Sequence, residues 1–142
     1  NRKGTEVLKT KLPGLAKHRL RTIMVGGVAT CHWLYRARIL DTNACPCCQL
    51  AAETWAHICD DCPSLDEVRY QELSKEEWDA LPPCLRYHGI LPISTDGLPA
   101  RYLEDEDSKA ALAADVQYTL LDLLDRRQGS LDPNLLPQPR WA

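Results

Sequence analysis

The chain has 142 residues, a formal net charge of −3 and seven cysteines, a length suited to one domain with a modest core. No apolar run approaches the roughly 20 residues a membrane-spanning helix needs, and no Ser/His/Asp order, Gly-rich phosphate loop or paired-carboxylate motif argues for catalysis or a small-molecule substrate. Residues 1–40 hold nine Lys/Arg against one acid, Glu6, which leaves eight basic and nineteen acidic groups for residues 41–142; the first third is therefore a candidate polyanion-binding face and the remainder is not.

Residues 1–13 read as a basic extended arm that ends in Leu12-Pro13-Gly14. Beyond it, Leu20, Ile23, Met24, Cys31, Leu34 and Tyr35 recur at helical intervals, interrupted by Gly26-Gly27. The pattern predicts helices over 15–25 and 31–39, with Thr30 capping the second. Lys17, Arg19, Arg21, Arg36 and Arg38 fall on the exposed faces. With Lys9 and Lys11 of the arm, they are the candidate nucleic-acid contacts. Helical spacing places Trp33 and Tyr35 in the core, and stacking on bases is the rival role for these two rings.

Cys45-Pro46-Cys47-Cys48, His57 and Cys62-Pro63 follow, and Cys45, Cys48, His57 and Cys62 are spaced Cys-x2-Cys-x8-His-x4-Cys. Thiolate and imidazole donors at such spacing suit one tetrahedral Zn²⁺, and a filled Cys3His shell has no open position for water. Such a site predicts structure rather than hydrolysis. Cys47 and Cys59 lie inside the same motif and compete for places in it. Gln49 stands where many knuckles have glycine. The stretch from Glu53 reads as a short helix running to Cys62 and stopped by Pro63, so that His57 and Cys62 face the knuckle from one element. A disulfide framework fits less well, because the cysteine count is odd and five of the seven crowd into residues 45–62. Zinc thiolates imply a reducing compartment such as an organellar matrix, stroma or nucleus.

Ser64-Leu65-Asp66-Glu67 and Ser74-Lys75-Glu76-Glu77 each fit a capping box. They predict helices over about 64–72 and 75–81, the second ended by Pro82-Pro83. Cys84 to Gly89 can add one turn, and residues 90–104 read as loop with a turn at Thr95-Asp96-Gly97. A long helix over about 107–128 carries Leu112, Val116, Leu120, Leu123 and Leu124 on one stripe. Gly129 supplies its stop, and Arg126-Arg127 suit its C-terminal dipole. Cys31 and Cys84 read as small core residues, and Asp60-Asp61 as a solvated face. Residues 129–142 form a proline-rich tail with Leu135, Leu136 and Trp141 as anchors. The fold class is all-α: one helical domain over 14–128 organised around the zinc segment 45–62, with extended N- and C-terminal arms. Asn1 either follows a removed presequence or opens a fragment.

His18-Arg19-Leu20-Arg21-Thr22-Ile23, Gly26-Gly27, Leu34-Tyr35-Arg36, Cys45-Pro46-x-Cys48, Glu53-Thr54-x-x-His57-Ile58 and Cys62-Pro63 together resemble the zinc-binding region that follows the reverse transcriptase domain in non-LTR retrotransposons. The resemblance covers about residues 18–63. It implies zinc ligands at Cys45, Cys48, His57 and Cys62, the set the spacing favours. No polymerase, endonuclease or RNase H motif accompanies it, so the expected role is a non-catalytic module, stand-alone or recruited. The leading expectation is an accessory subunit of a larger protein or ribonucleoprotein assembly, such as an organellar ribosome or a photosynthetic complex. The alternative is an RNA-binding zinc knuckle that uses the basic residues 1–40.

Overall fold

Local capping signals set several helix boundaries in the computed structural model, which describes residues 14–131. The basic arm, Lys9, Lys11 and the proline-rich tail beyond residue 131 lie outside the described residues. Helix α1 spans Gly14–Met24 and buries Leu20 and Ile23. Gly26 turns the chain with φ +70°. Thr30, in extended conformation, accepts a hydrogen bond from the Trp33 amide and starts α2, Cys31–Arg36. This helix is shorter than its periodicity predicts, because Arg38 takes a left-handed conformation with φ +61°. The Ile39 amide then bonds the Leu34 carbonyl and the Arg38 amide bonds Tyr35, a Schellman closure at a position that glycine usually fills.

A six-residue helix cannot bury every face. Cys31 and Leu34 point inward, whereas Trp33 and Tyr35 are 57% and 46% exposed. The predicted core placement of these two rings is thereby corrected.

Downstream, a π-helical turn spans His57–Asp61 and a 3-10 turn spans Pro63–Leu65. They lead into α3, Asp66–Arg69, then α4, Lys75–Ala80, and α5, Pro83–His88. The Ser74 capping box forms in full with Glu77. The Ser64 box does not: the 3-10 turn occupies the entry to α3, and the Ser64 hydroxyl instead donates to the Cys47 carbonyl at 3.2 Å. Gly89, at φ +66°, ends α5. Part of the predicted 90–104 loop is a 3-10 turn, Ala100–Tyr102.

The longest element is α6, Glu106–Ser130, capped by the Asp105 carboxylate, which accepts from the Ser108 amide. Its predicted stripe is buried in full: Leu112, Val116, Leu120, Leu123 and Leu124 are each under 5% exposed. At about 1.5–3 kcal/mol for each buried side chain of this size, the stripe contributes substantially to cohesion. Against it pack α1, α3, α5, the π turn and the 3-10 turn at 100–102. Gly129 does not stop the helix, which runs through it to Ser130 with Leu131 as cap. Among the described residues there is no strand, only an isolated bridge between Ala44 and Ala52. The protein is thus mostly helical, and no described helix is long and apolar enough to cross a membrane.

Candidate metal centre

The knuckle is built first. The Gln49 amide bonds the Cys45 carbonyl at 2.8 Å, and the Cys45 amide bonds Ala51, so residues 45–51 close into a tight loop. Gln49 adopts φ +58°, the conformation that makes glycine common at this place. Within the loop the Leu50 amide donates to the Cys48 sulfur at 3.4 Å.

The second half needs the π turn. In an α-helix, residues five apart stand about 140° apart around the axis, so His57 and Cys62 would diverge. Here the Cys62 amide reaches back five residues to the His57 carbonyl at 2.8 Å, and that wider turn returns both side chains to one side. Thr54 starts it by accepting from the His57 amide at 3.0 Å. The sequence expectation of a regular helix is therefore corrected, while the convergence of His57 and Cys62 is present.

The ligand atoms of Cys45, Cys48, His57 and Cys62 all lie within 4.8 Å of one another. The Cys45 and Cys62 sulfurs are 3.8 Å apart, and Cys48 Sγ is 3.4 Å from His57 Nε2. Tetrahedral zinc with bonds of about 2.3 Å to sulfur and about 2.0–2.1 Å to nitrogen sets its ligands about 3.8 Å and about 3.5 Å apart. The four residues form a geometrically suitable site for a metal ion. Cys59 is buried in the core and Cys47 is partly buried; neither joins the gathered set. All seven cysteines are free thiols.

The protonation of these thiols follows from their surroundings. Burial pushes Cys45 up to about 12 and also raises Cys62, against the pull of the Ser64 amide. Burial acts on Cys48 too, but the Leu50 amide and hydrogen bonds from Cys45 and Cys62 outweigh it and hold that thiol below its ordinary value. Three thiols sharing one buried space do not ionise together without a cation, and a divalent metal supplies that charge.

Each later helix ties itself to this segment through a polar side chain. From α3, the fully buried Arg69 donates Nη2 to the carbonyls of Ile58 and Cys62 at 2.8 and 3.2 Å. From α4, Trp78 Nε1 donates to the Cys59 carbonyl at 2.9 Å. From α5, Arg86 Nε pairs with Asp60 at 3.3 Å and the Tyr87 hydroxyl donates to the same carboxylate. Trp55 Nε1 returns a bond of 2.7 Å to the Tyr87 carbonyl. Asp60 is thus engaged rather than solvated, while Asp61 is exposed.

From α6, Arg127 meets Glu53. Its Nη2 and Nε lie 2.8 and 3.1 Å from Glu53 Oε1, and the same Nη2 donates to the Ala29 carbonyl. Glu53 Oε1 also accepts from the Cys31 amide at 2.7 Å, at the start of α2. Both partners are buried, at 0% and 3% exposed, so Arg127 is a core cation rather than a surface complement to the helix dipole. Sequence reasoning missed Glu53, Arg69 and Arg127 as supports of the site. A glutamate four residues before a candidate ligand is the one local signal that pointed to any of them.

Of the predicted basic face, Arg21, Arg36 and Arg38 are exposed, and no described carboxylate pairs with them. Lys17 is partly buried, and Arg19 pairs with Asp125 at 3.0 Å. Of the two cysteines expected in the core, Cys31 is buried while Cys84 is only partly so.

Fold and site together define a mostly helical protein with a candidate Cys3His metal centre. Compared with family models, curated proteins and solved structures, the chain matches none.

Proposed function

We propose that the protein is a non-catalytic, zinc-stabilised structural module that serves as an accessory subunit of a larger assembly. The observation that carries this reading is the set of polar ties converging on residues 53–62 from α3, α4, α5 and α6. A metal held there organises the whole helical body, because the segment it closes is the one every later helix grips. Four protein donors complete a tetrahedral shell, so one Zn²⁺ supplies cross-linking rather than a reactive water. The relationship to the zinc-binding region of non-LTR retrotransposons is part of this proposal and rests on the residues quoted for it. Docking within an assembly is supported by large apolar side chains left in solvent, Val25, Leu50 and Ile93 among them, at 81%, 81% and 101% exposed.

The test is purification of the full chain from its native source under mild conditions, with zinc content and co-migrating components measured by mass spectrometry and gel filtration. Stoichiometric zinc in a large complex supports the reading. A zinc-free chain, or a zinc-loaded one that migrates alone without partners, overturns it.

A second reading, an RNA-binding module, is favoured by one surface. Over six residues the chain exposes Trp33, Tyr35, Arg36 and Arg38, and Tyr35, Arg36 and Arg38 line a shallow cleft of about 420 Å³. Rings stack on unpaired bases and guanidinium groups contact phosphates. Reversing Arg36 and Arg38 to Glu in the zinc-loaded chain tests it. Single-stranded RNA affinity should then fall, and its salt slope should shrink by about 0.7 for each phosphate that is no longer neutralised. An unchanged slope rejects this reading.

A further inference from the structure

Arg69 is a fully buried cation whose neutralisation is incomplete. Its side chain is 0% exposed; among the described residues its carboxylate partner is Asp66 at 2.7 Å, itself 56% exposed, and the Tyr70 ring lies 5.4 Å from its guanidinium carbon. Its Nε finds no hydrogen-bond partner among the described residues. Nη2 donates to two carbonyls, those of Ile58 and Cys62. A guanidinium keeps its charge in any protein setting, and burying one is costly unless its surroundings compensate. A half-solvated aspartate compensates weakly.

A metal-loaded Cys3His centre would place a negative charge on the other side of the carbonyls that Arg69 holds. A divalent ion with three thiolates and a neutral imidazole carries a net charge of −1. Cys62 is one of those thiolates, and its own carbonyl is 3.2 Å from Arg69 Nη2. The second carbonyl, that of Ile58, adjoins His57. Arg69 Nη2 therefore holds the π turn near its start and just past its end, next to one candidate ligand and at the backbone of the other.

We propose that Arg69 is the positioning residue of the metal centre. It fixes the π turn in the register that aims His57 and Cys62 at one point, and it supplies the buried counter-charge of the metal–thiolate complex. This inference rests on the metal reading above. Outer groups of this kind set ligand direction, and their loss typically weakens metal affinity by about 10- to 100-fold.

The test uses the full chain loaded with cobalt(II), whose visible bands report coordination geometry, followed by competition with zinc. Three variants are compared with the wild type: Arg69→Gln, Arg69→Lys, and Val68→Ala as a matched destabilising control on the same helix. Arg69→Gln should weaken cobalt and zinc binding by about 10- to 100-fold and displace the cobalt bands. Arg69→Lys should recover part of the affinity, since the charge remains while the planar group that bonds Asp66 and both carbonyls at once is lost. Val68→Ala should lower thermal stability and leave the band positions unmoved. Stoichiometric wild-type binding, with both Arg69 variants matching Val68→Ala in affinity and bands, overturns the inference alone. A wild-type chain that takes up neither metal overturns the metal reading and this inference with it.

Discussion

Glu53 and Arg127 meet as a buried ion pair across 74 residues of sequence, 2.8 Å from oxygen to nitrogen. The same carboxylate caps the first amide of α2. One side chain thus joins the metal segment, the second helix and the last helix. Removing either partner strands a charge in the core, so Glu53→Ala or Arg127→Ala should each cost about 3–5 kcal/mol. Urea denaturation measures this, and the double variant should cost clearly less than the two single changes added together.

Metal removal should act through the same segment. A chelator should lower the thermal midpoint of the wild-type chain and leave Cys48→Ser or His57→Ala, already destabilised, nearly indifferent to it. At free zinc one hundred times its dissociation constant, the stabilisation lost is about 2.7 kcal/mol. Equal midpoints with and without chelator would falsify a structural role for the site.

Two non-glycine residues in left-handed conformation, Arg38 and Gln49, give a paired prediction. Arg38→Gly and Gln49→Gly should each stabilise by up to about 1 kcal/mol, since glycine carries no steric penalty there. If the RNA reading is correct, Arg38→Gly gains stability while losing affinity for single-stranded RNA. Thermal melts and a binding isotherm on the same preparation separate the two effects.

The glycines of this chain also differ predictably. A Cβ at Gly97 would sit 2.4 Å from the Ala80 carbonyl oxygen, with φ at +78°, whereas one at Gly129 meets nothing within 4 Å. Gly97→Ala should destabilise by about 2 kcal/mol or more, from strain at that φ and the clash. Gly129→Ala, inside α6, should stabilise by about 0.5–1 kcal/mol. Chemical denaturation of the two variants beside the wild type checks both signs.

Alkaline pH should weaken the fold through Cys31. Burial, aided by the Glu53 carboxylate, pushes this thiol from an ordinary value of 9.0 up to about 11. The folded state keeps its proton after the unfolded chain has lost it, so this contribution is complete below pH 9 and is lost as pH rises toward 11. Denaturation curves across that window should show the decline, and Cys31→Ala should make it shallower, the remainder coming from the buried thiols of Cys45, Cys59 and Cys62.

What the sequence disclosed was local. Thr30, the Ser74–Glu77 pair and the stripe on α6 are short-range signals whose chemistry acts within a few residues, and the described helices begin where they say. The spacing favoured Cys45, Cys48, His57 and Cys62, with Cys47 and Cys59 as rivals, and the structure gathers that favoured set. The π turn was not legible, because its extra residue per turn is set by where His57 and Cys62 must point rather than by local propensity. Trp33 and Tyr35 fit a helical period, but a helix of six residues packs on one side only. Ser64 carried a capping signal that Pro63 and the 3-10 turn pre-empted. Arg69, Glu53 and Arg127 could not be read as core charges, since nothing in a linear pattern shows that partners 11 or 74 residues away will enclose them.

The separation of Glu53 from Arg127 also orders events during synthesis. A nascent chain that has emerged through Cys62 carries all four metal ligands, yet the carboxylate between them and α2 has no cation to meet until residue 127 leaves the ribosome. Until then, Glu53 lacks the cation that holds its carboxylate buried against the first amide of α2. Closure of the core therefore waits for the end of α6. Stalled chains halted before and after Arg127 should differ sharply in protease resistance although both carry Cys45, Cys48, His57 and Cys62.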